Sequence, residues 1–120
     1  MSIAGSSGHL LLSGVFIAEG ARAFMEPGGR VKKVAEVGLP EPKQAVELNG
    51  AVMVIGGTLL ASGIAPKLAA TVLIGSLVPT TLVGHAFWKE ENEAGRKNQR
   101  TQFFKNLGLI GGLLLVLTEK

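Results

Sequence analysis

Charged positions leave four long tracts of this chain untouched. Residues 1–18, 48–66, 68–88 and 106–118 contain no Glu, Lys or Arg, and Lys67 alone separates the second tract from the third. A helix needs about 20 predominantly apolar residues to cross ~30 Å of hydrocarbon. The pattern therefore predicts spans over residues 6–24, 46–64, 66–88 and 101–117. Four spans consume roughly 80 residues at that length and leave about 40 for connections, which is no room for a second domain. The expected fold is all-α: a single polytopic four-helix transmembrane bundle.

Pro66 suits the first turn of the third span, where a missing N–H is harmless. The connection around Ala65-Pro66-Lys67 is so short that the second and third spans must be antiparallel neighbours. Residues 25–45 join the first two spans and are rich in Pro, Gly, Lys and Glu. Within them Val31-Lys32-Lys33-Val34-Ala35-Glu36-Val37 reads as a short amphipathic turn lying on the bilayer surface. Residues 89–100 form a charged connection between the last two spans. Ala21-Arg-Ala23 imitates a signal-cleavage motif. The segment before it lacks an early Lys or Arg and carries Glu19 and Arg22 near the supposed site, the reverse of a secretory signal. It reads as a retained first span.

Composition sharpens this picture. The chain is 47% hydrophobic and 18% charged with 17 Gly in 120 residues, about twice the usual ~7% glycine. Its mean hydropathy is +0.37. There is no Cys, which excludes disulfides, thiolate metal sites and dithiol relays carried by this chain. The +3 charge reads as membrane topology and not as nucleic-acid binding, because the basic residues flank the spans. Arg22, Arg30, Lys32, Lys33, Lys43, Lys89, Arg96, Lys97, Arg100 and Lys105 lie on the side of the two longer connections; Lys67 and Lys120 lie opposite. The positive-inside rule puts the basic side in the cytoplasm and both termini outside, in a bacterial plasma membrane. Phe24, Phe87, Trp88, Phe103 and Phe104 gather at the same ends, as an interfacial belt would.

Small residues at helical spacing are the expected packing devices: Gly57 with Ala61 in the second span, Gly108 with Gly112 in the fourth. Pro79 in the third span frees the Gly75 carbonyl, and Thr80 and Thr81 can help satisfy the backbone there.

Polar groups inside spans are the candidates for chemistry, since each is costly in lipid. Glu19 and Arg22 share one face near the cytoplasmic end of the first span. Asn49 opens the second, His85 ends the third, and Asn106 begins the fourth. Together they predict a polar rim of Glu19, Arg22, Asn49, His85 and Asn106 that holds a headgroup or tunes a proton affinity. The plainer alternatives are an interfacial ion pair, interhelical amide bonds and an anchoring imidazole. Glu119, on the outer side, is expected to matter less than His85 for ligand or partner function. His9 and His85 lie near opposite ends of their spans, separated by roughly the ~30 Å hydrocarbon thickness, so one chain cannot pair them on a haem. No metal-ligand spacing or phosphate-binding loop is present.

The stretch Leu77-Val78-Pro79-Thr80-Thr81-Leu82-Val83-Gly84-His85-Ala86-Phe87-Trp88 is followed by a charged connection. Phe103-Phe104-Lys105-Asn106-Leu107-Gly108 then leads into Gly111-Gly112-Leu113-Leu114. With Phe16-Ile17-Ala18-Glu19-Gly20 and the 49–57 segment, this pattern resembles the DoxX family, its actinobacterial-type members most. It departs at Gly8-His9, where many members have Arg-Pro, and at Asn49, where many carry a Glu one turn later near Met53. The resemblance implies a four-helix membrane bundle linked to membrane redox systems; the family takes its name from a small subunit of a thiosulfate:quinone oxidoreductase. Two roles follow as expectations. One is an accessory or scaffold subunit of a membrane complex, in contact with other subunits or with itself. The other is an independent binder of a quinone, lipid or small thiol-related molecule, with no cofactor intrinsic to the chain.

Orientation is directly testable. Cysteines placed at Lys33 and Lys97 should be shielded from an impermeant thiol reagent in intact cells, and one at Ser2 should react. The reverse labelling would invert the topology and leave the spans as they are.

Overall fold

A computed structural model of the chain describes residues 2–120. It contains α1 (Ile3–Met25), α2 (Gly28–Glu36), α3 (Pro42–Ser62), α4 (Pro66–Gly84) and α5 (Glu93–Leu117), with a 3-10 turn at Phe87–Lys89 before α5. The four long helices run up, down, up, down, each antiparallel to the next. The principal extent of 45 Å matches a bilayer of ≈ 40–45 Å including its headgroup layers. By length and apolar composition alone, Pro42–Ser62 and Pro66–Lys89 qualify as spans among the described residues. The Gly and Ser content of α1 and the charged opening turns of α5 keep those two below the same threshold. They depend on their neighbours.

Local signals set the helix ends. Ser2 caps α1, its hydroxyl accepting from the Gly5 N–H at 2.9 Å, which satisfies one of the orphan donors of a helix start. Pro42 and Pro66 occupy the first turns of α3 and α4. α3 stops at Gly63, whose φ of 74° is the left-handed conformation that glycine adopts freely at a helix end. Three residues then suffice to start α4.

Two boundaries differ from those the hydropathy pattern suggests. α4 ends at Gly84 and not near Trp88, because the chain turns at His85 and Phe87–Lys89 wind as a 3-10 turn. Edge-to-face contacts hold that turn: Phe87 with Phe103 at 5.4 Å and Trp88 with Phe103 at 5.7 Å between ring centroids. The fourth long helix begins at Glu93 and not near Thr101. Asn92 caps it by accepting from the Gly95 N–H at 2.6 Å, and Glu93 in the first turn complements the positive end of the helix dipole. The charged connection is thus mostly helix.

The amphipathic stretch around residue 31 forms α2. It packs against α3 and α4, with Val31 and Val34 half-buried, and so closes one end of the bundle instead of lying free beside it. Lys33 Nζ donates to the Gly84 carbonyl at 2.6 Å. A cation on the last carbonyls of a helix is favourable both as a hydrogen bond and against the dipole.

The most extensive helix pair is α1 with α3, and glycine permits it. A Cβ on Gly50 would lie 2.6 Å from the Gly20 carbonyl oxygen, and a Cβ on Gly20 would lie 2.6 Å from that of Gly50. Seven residues further along each helix, in opposite directions, Gly57 faces Ser13 and Ile17, with an added Cβ only 2.9 Å from Ile17 Cγ1. In lipid the hydrophobic effect does not drive helices together, so this close fit supplies the attraction. Phe16, Met53, Leu60, Leu73, Leu77 and Leu113 fill the centre.

Gly50→Ala should therefore destabilise the bundle by about 1–3 kcal/mol, the usual range for overpacking a tight core. Gly14→Ala, where an added Cβ meets nothing within 4 Å, should be neutral or mildly stabilising through helix propensity. Denaturant titration of both variants in detergent checks the contrast; equal stability would mean the α1–α3 crossing is looser than described.

Candidate functional site

The sequence-predicted rim separates into four local arrangements. Asn49 of α3 faces α4: its Nδ2 donates to Thr80 Oγ1 at 2.9 Å, and Ser76 Oγ donates to its Oδ1 at 2.7 Å. Asn106 of α5 reaches the other side of α4, its Nδ2 donating to Thr81 Oγ1 at 3.1 Å. The adjacent threonines thus bind different neighbours. Their hydroxyls donate backward to the Ser76 and Leu77 carbonyls, at 2.8 and 2.7 Å. The carbonyl that Pro79 frees, Gly75, lies on the outward face and is not their acceptor.

Glu19 and Arg22 stand 3.7 Å apart at an open surface, and Arg30 of α2 approaches the second Glu19 oxygen at 3.7 Å. Exposed pairs of this kind contribute ~0–1 kcal/mol. His85, at the end of α4, pairs through Nδ1 with Gln99 Oε1 at 2.7 Å; Lys33, Lys105 and Arg30 place positive charge around it. Neither Asn49 nor Asn106 hydrogen-bonds His85. No fully buried side-chain nitrogen or oxygen lacks a partner among the described residues.

The packing glycines also divide. Gly57 is buried against α1, and Gly112 packs on Leu12 of α1, where an added Cβ would lie 3.1 Å from Leu12 Cδ2. Gly108 faces outward with nothing within 4 Å of an added Cβ. Ala61 is half-buried near the end of α3.

A second polar centre lies at the opposite end, where sequence reasoning saw no site. His9 is 3% exposed, and its Nε2 meets both Glu119 oxygens, at 2.7 and 3.0 Å. Glu119 is therefore not an indifferent outer-side carboxylate: it holds the one buried imidazole of α1. One turn further in, Ser13 donates to the His9 carbonyl at 2.5 Å. The pair ties the start of α1 to the residues just past α5, which otherwise touch least among the neighbouring long helices. Between these two helices lies a cleft of ≈ 500 Å³ lined by Gly5, Gly8, Leu12, Leu109, Gly112 and Leu115, with His9 and Glu119 on its wall. The available signal was depth: His9 lies near the start of the first tract and Glu119 directly follows the last, so antiparallel first and last spans bring them to the same end.

Four antiparallel helices with a basic, aromatic end and polar side chains paired internally define a small multi-pass membrane bundle. The DoxX family model matches residues 8–86, from the first turns of α1 to just beyond α4. The chain belongs to the DoxX family. It is also similar to the inner membrane protein YphA of Escherichia coli (strain K12), with 28% identity over 102 residues that cover 85% of this chain and 72% of that relative. No solved structure matches it. The family match includes His9, Asn49 and His85 but stops short of α5, so Asn106 and Glu119 lie outside it.

Proposed function

We propose that the chain is an accessory or scaffold subunit of a complex in the bacterial inner membrane, a redox or quinone-linked one by family resemblance. The observation that carries this reading is the closed interior. Asn49, Ser76, Thr80, Thr81 and Asn106 satisfy one another or the backbone, which is what a rigid packing element requires in lipid. The outward face of α5 supports it further: Gly108 and Gly111 are open there, so another helix can approach its backbone closely. Similarity to an inner membrane protein of Escherichia coli supports the location, and the basic end of the bundle supports termini on the outer side.

A second reading is an independent binder of a small membrane-dissolved molecule: a quinone, a lipid or a thiol-related compound. Dispersal of the predicted rim into separate pairs takes the site away from Glu19, Arg22, Asn49, His85 and Asn106 as one unit. The α1–α5 cleft favours the reading at the other end, since its volume falls within the ~300–1,000 Å³ of small-molecule sites.

Gentle detergent extraction, followed by mass spectrometry of the intact assembly, separates the two. The accessory reading predicts a partner chain at fixed stoichiometry that is lost on Gly108→Leu. Recovery of the chain alone or as a homo-oligomer, at native expression level, would contradict it and leave the binder.

A further inference from the structure

Ionisable side chains buried within membrane depth are rare and costly, and they point to function more often than to packing. His9 is such a group. Replacing it with an apolar residue would fill the same volume with no polar partner to find, yet the chain keeps an imidazole and closes it with a carboxylate from beyond α5. Both Glu119 oxygens converge on one ring nitrogen, Nε2, at 2.7 and 3.0 Å. An ionised carboxylate can only accept, so this geometry assigns the proton to Nε2. Glu119 thereby fixes the tautomer and orientation of the ring, as carboxylates do for imidazoles whose other nitrogen is in use.

The remaining ring nitrogen, Nδ1, has no hydrogen-bond partner among the described residues. It is also not sealed in the core, because no fully buried polar atom there lacks a partner. His9 lines the α1–α5 cleft, whose other walls are leucine side chains and the bare backbone of Gly5, Gly8 and Gly112. The cleft thus offers one oriented polar atom, beside a carboxylate near the membrane edge, and an apolar channel running away from it along the helices. A molecule that matches it carries a single polar head and an apolar tail. With the proton held on Nε2 by Glu119, Nδ1 is left as an acceptor and the head must donate to it. A hydroxyl can donate; a ketone can only accept.

We propose that the α1–α5 cleft binds a membrane-dissolved amphiphile through a hydroxyl head group hydrogen-bonded to His9 Nδ1, with the tail lying against Leu12, Leu109 and Leu115. This rests on the binder reading above and specifies its site and ligand class. Glu119 is a positioning residue: it holds the imidazole and does not itself need to touch the ligand. The glycines keep the cleft open. Gly8 has nothing within 4 Å of an added Cβ, so space and not collision surrounds it, and a larger side chain there would occupy the cleft without disturbing the His9–Glu119 pair.

The test uses the full chain in lipid nanodiscs with two probes of one shape: 4-nonylphenol, and 4-nonyltoluene, in which a methyl replaces the hydroxyl. Ring nitrogens of ¹⁵N-histidine-labelled protein report binding by NMR, with the His9 signals assigned by their loss in His9→Phe. The phenol should move the His9 Nδ1 signal saturably and bind about 5–10-fold more tightly than the toluene, the factor expected from one net hydrogen bond of ~1 kcal/mol. Gly8→Leu should abolish binding of both probes while leaving the Nε2 signal of the pair in place. Equal affinity of the two probes, or a phenol response that persists in Gly8→Leu, overturns the hydroxyl site and leaves a less specific binder standing. Failure of both probes to bind the unaltered chain overturns the site and the binder reading together.

Discussion

The contact between the backbones of Gly20 and Gly50 governs the arrangement of everything else. Two carbonyl oxygens sit where side-chain carbons would otherwise be, 2.6 Å from the added Cβ positions on the facing helix. Only glycine at both positions allows that approach. Because Ser13 and Gly57 repeat the fit seven residues away, the crossing fixes a line of contact and not a single point. α1 is thereby held in a register that carries His9 to the far end. From that line α3 presents Asn49 to α4, and α4 presents Thr81 to α5. The order of helices in the bundle follows from which small or polar residue each one turns towards its neighbour.

α1 and α5 show why such a register is needed. Neither is apolar enough to qualify as a span by itself among the described residues; α1 spends much of its length on Gly and Ser, and α5 opens with two charged turns. Each buries some of its polar side chains against a partner. Ser13 is covered by α3, His9 by Glu119, and Asn106 by Thr81. A polar side chain that is satisfied inside the bundle no longer opposes insertion, and unsatisfied groups in hydrocarbon would cost several kcal/mol each. The α1–α5 seam, the loosest among neighbouring long helices in the described residues, carries both an ionisable pair and a cleft.

Much of this was legible in the residues. The four uncharged tracts mark the long helices, Pro66 marks the start of α4, and of the motifs behind the DoxX resemblance those in α1, α3 and α4 fall within the family match while those of α5 lie beyond it. Boundaries were less legible where aromatic contacts and a capping Asn decide them: Phe87 and Trp88 look like span by hydropathy but turn away to pack on Phe103. The polar rim was read from depth along the membrane normal. Depth alone does not say which way a side chain turns around its helix, and Asn49 and Asn106 turn to opposite sides of α4. The same limit hid the Gly20–Gly50 contact, since neither glycine belongs to a small-xxx-small pair, while the heptad spacing of Ser13 with Gly20 and Gly50 with Gly57 was present in the sequence. The His9–Glu119 pair was not legible because its members lie 110 positions apart.

The register of α1 on α3 admits a direct chemical test, helped by the absence of native cysteine. Ile17 Cγ1 lies 2.9 Å from the Cβ position of residue 57, close to the separation of a sulfur from the far Cβ across a disulfide, about 3 Å by standard geometry. In the double variant Ile17→Cys, Gly57→Cys, mild oxidation of native membranes should give a rapid intramolecular disulfide. Ile17→Cys with Thr58→Cys, whose second position faces outward, should stay reduced. Cross-linking of the second pair in preference to the first, or bonds formed only between separate chains, would contradict the α1–α3 crossing on which the bundle is built.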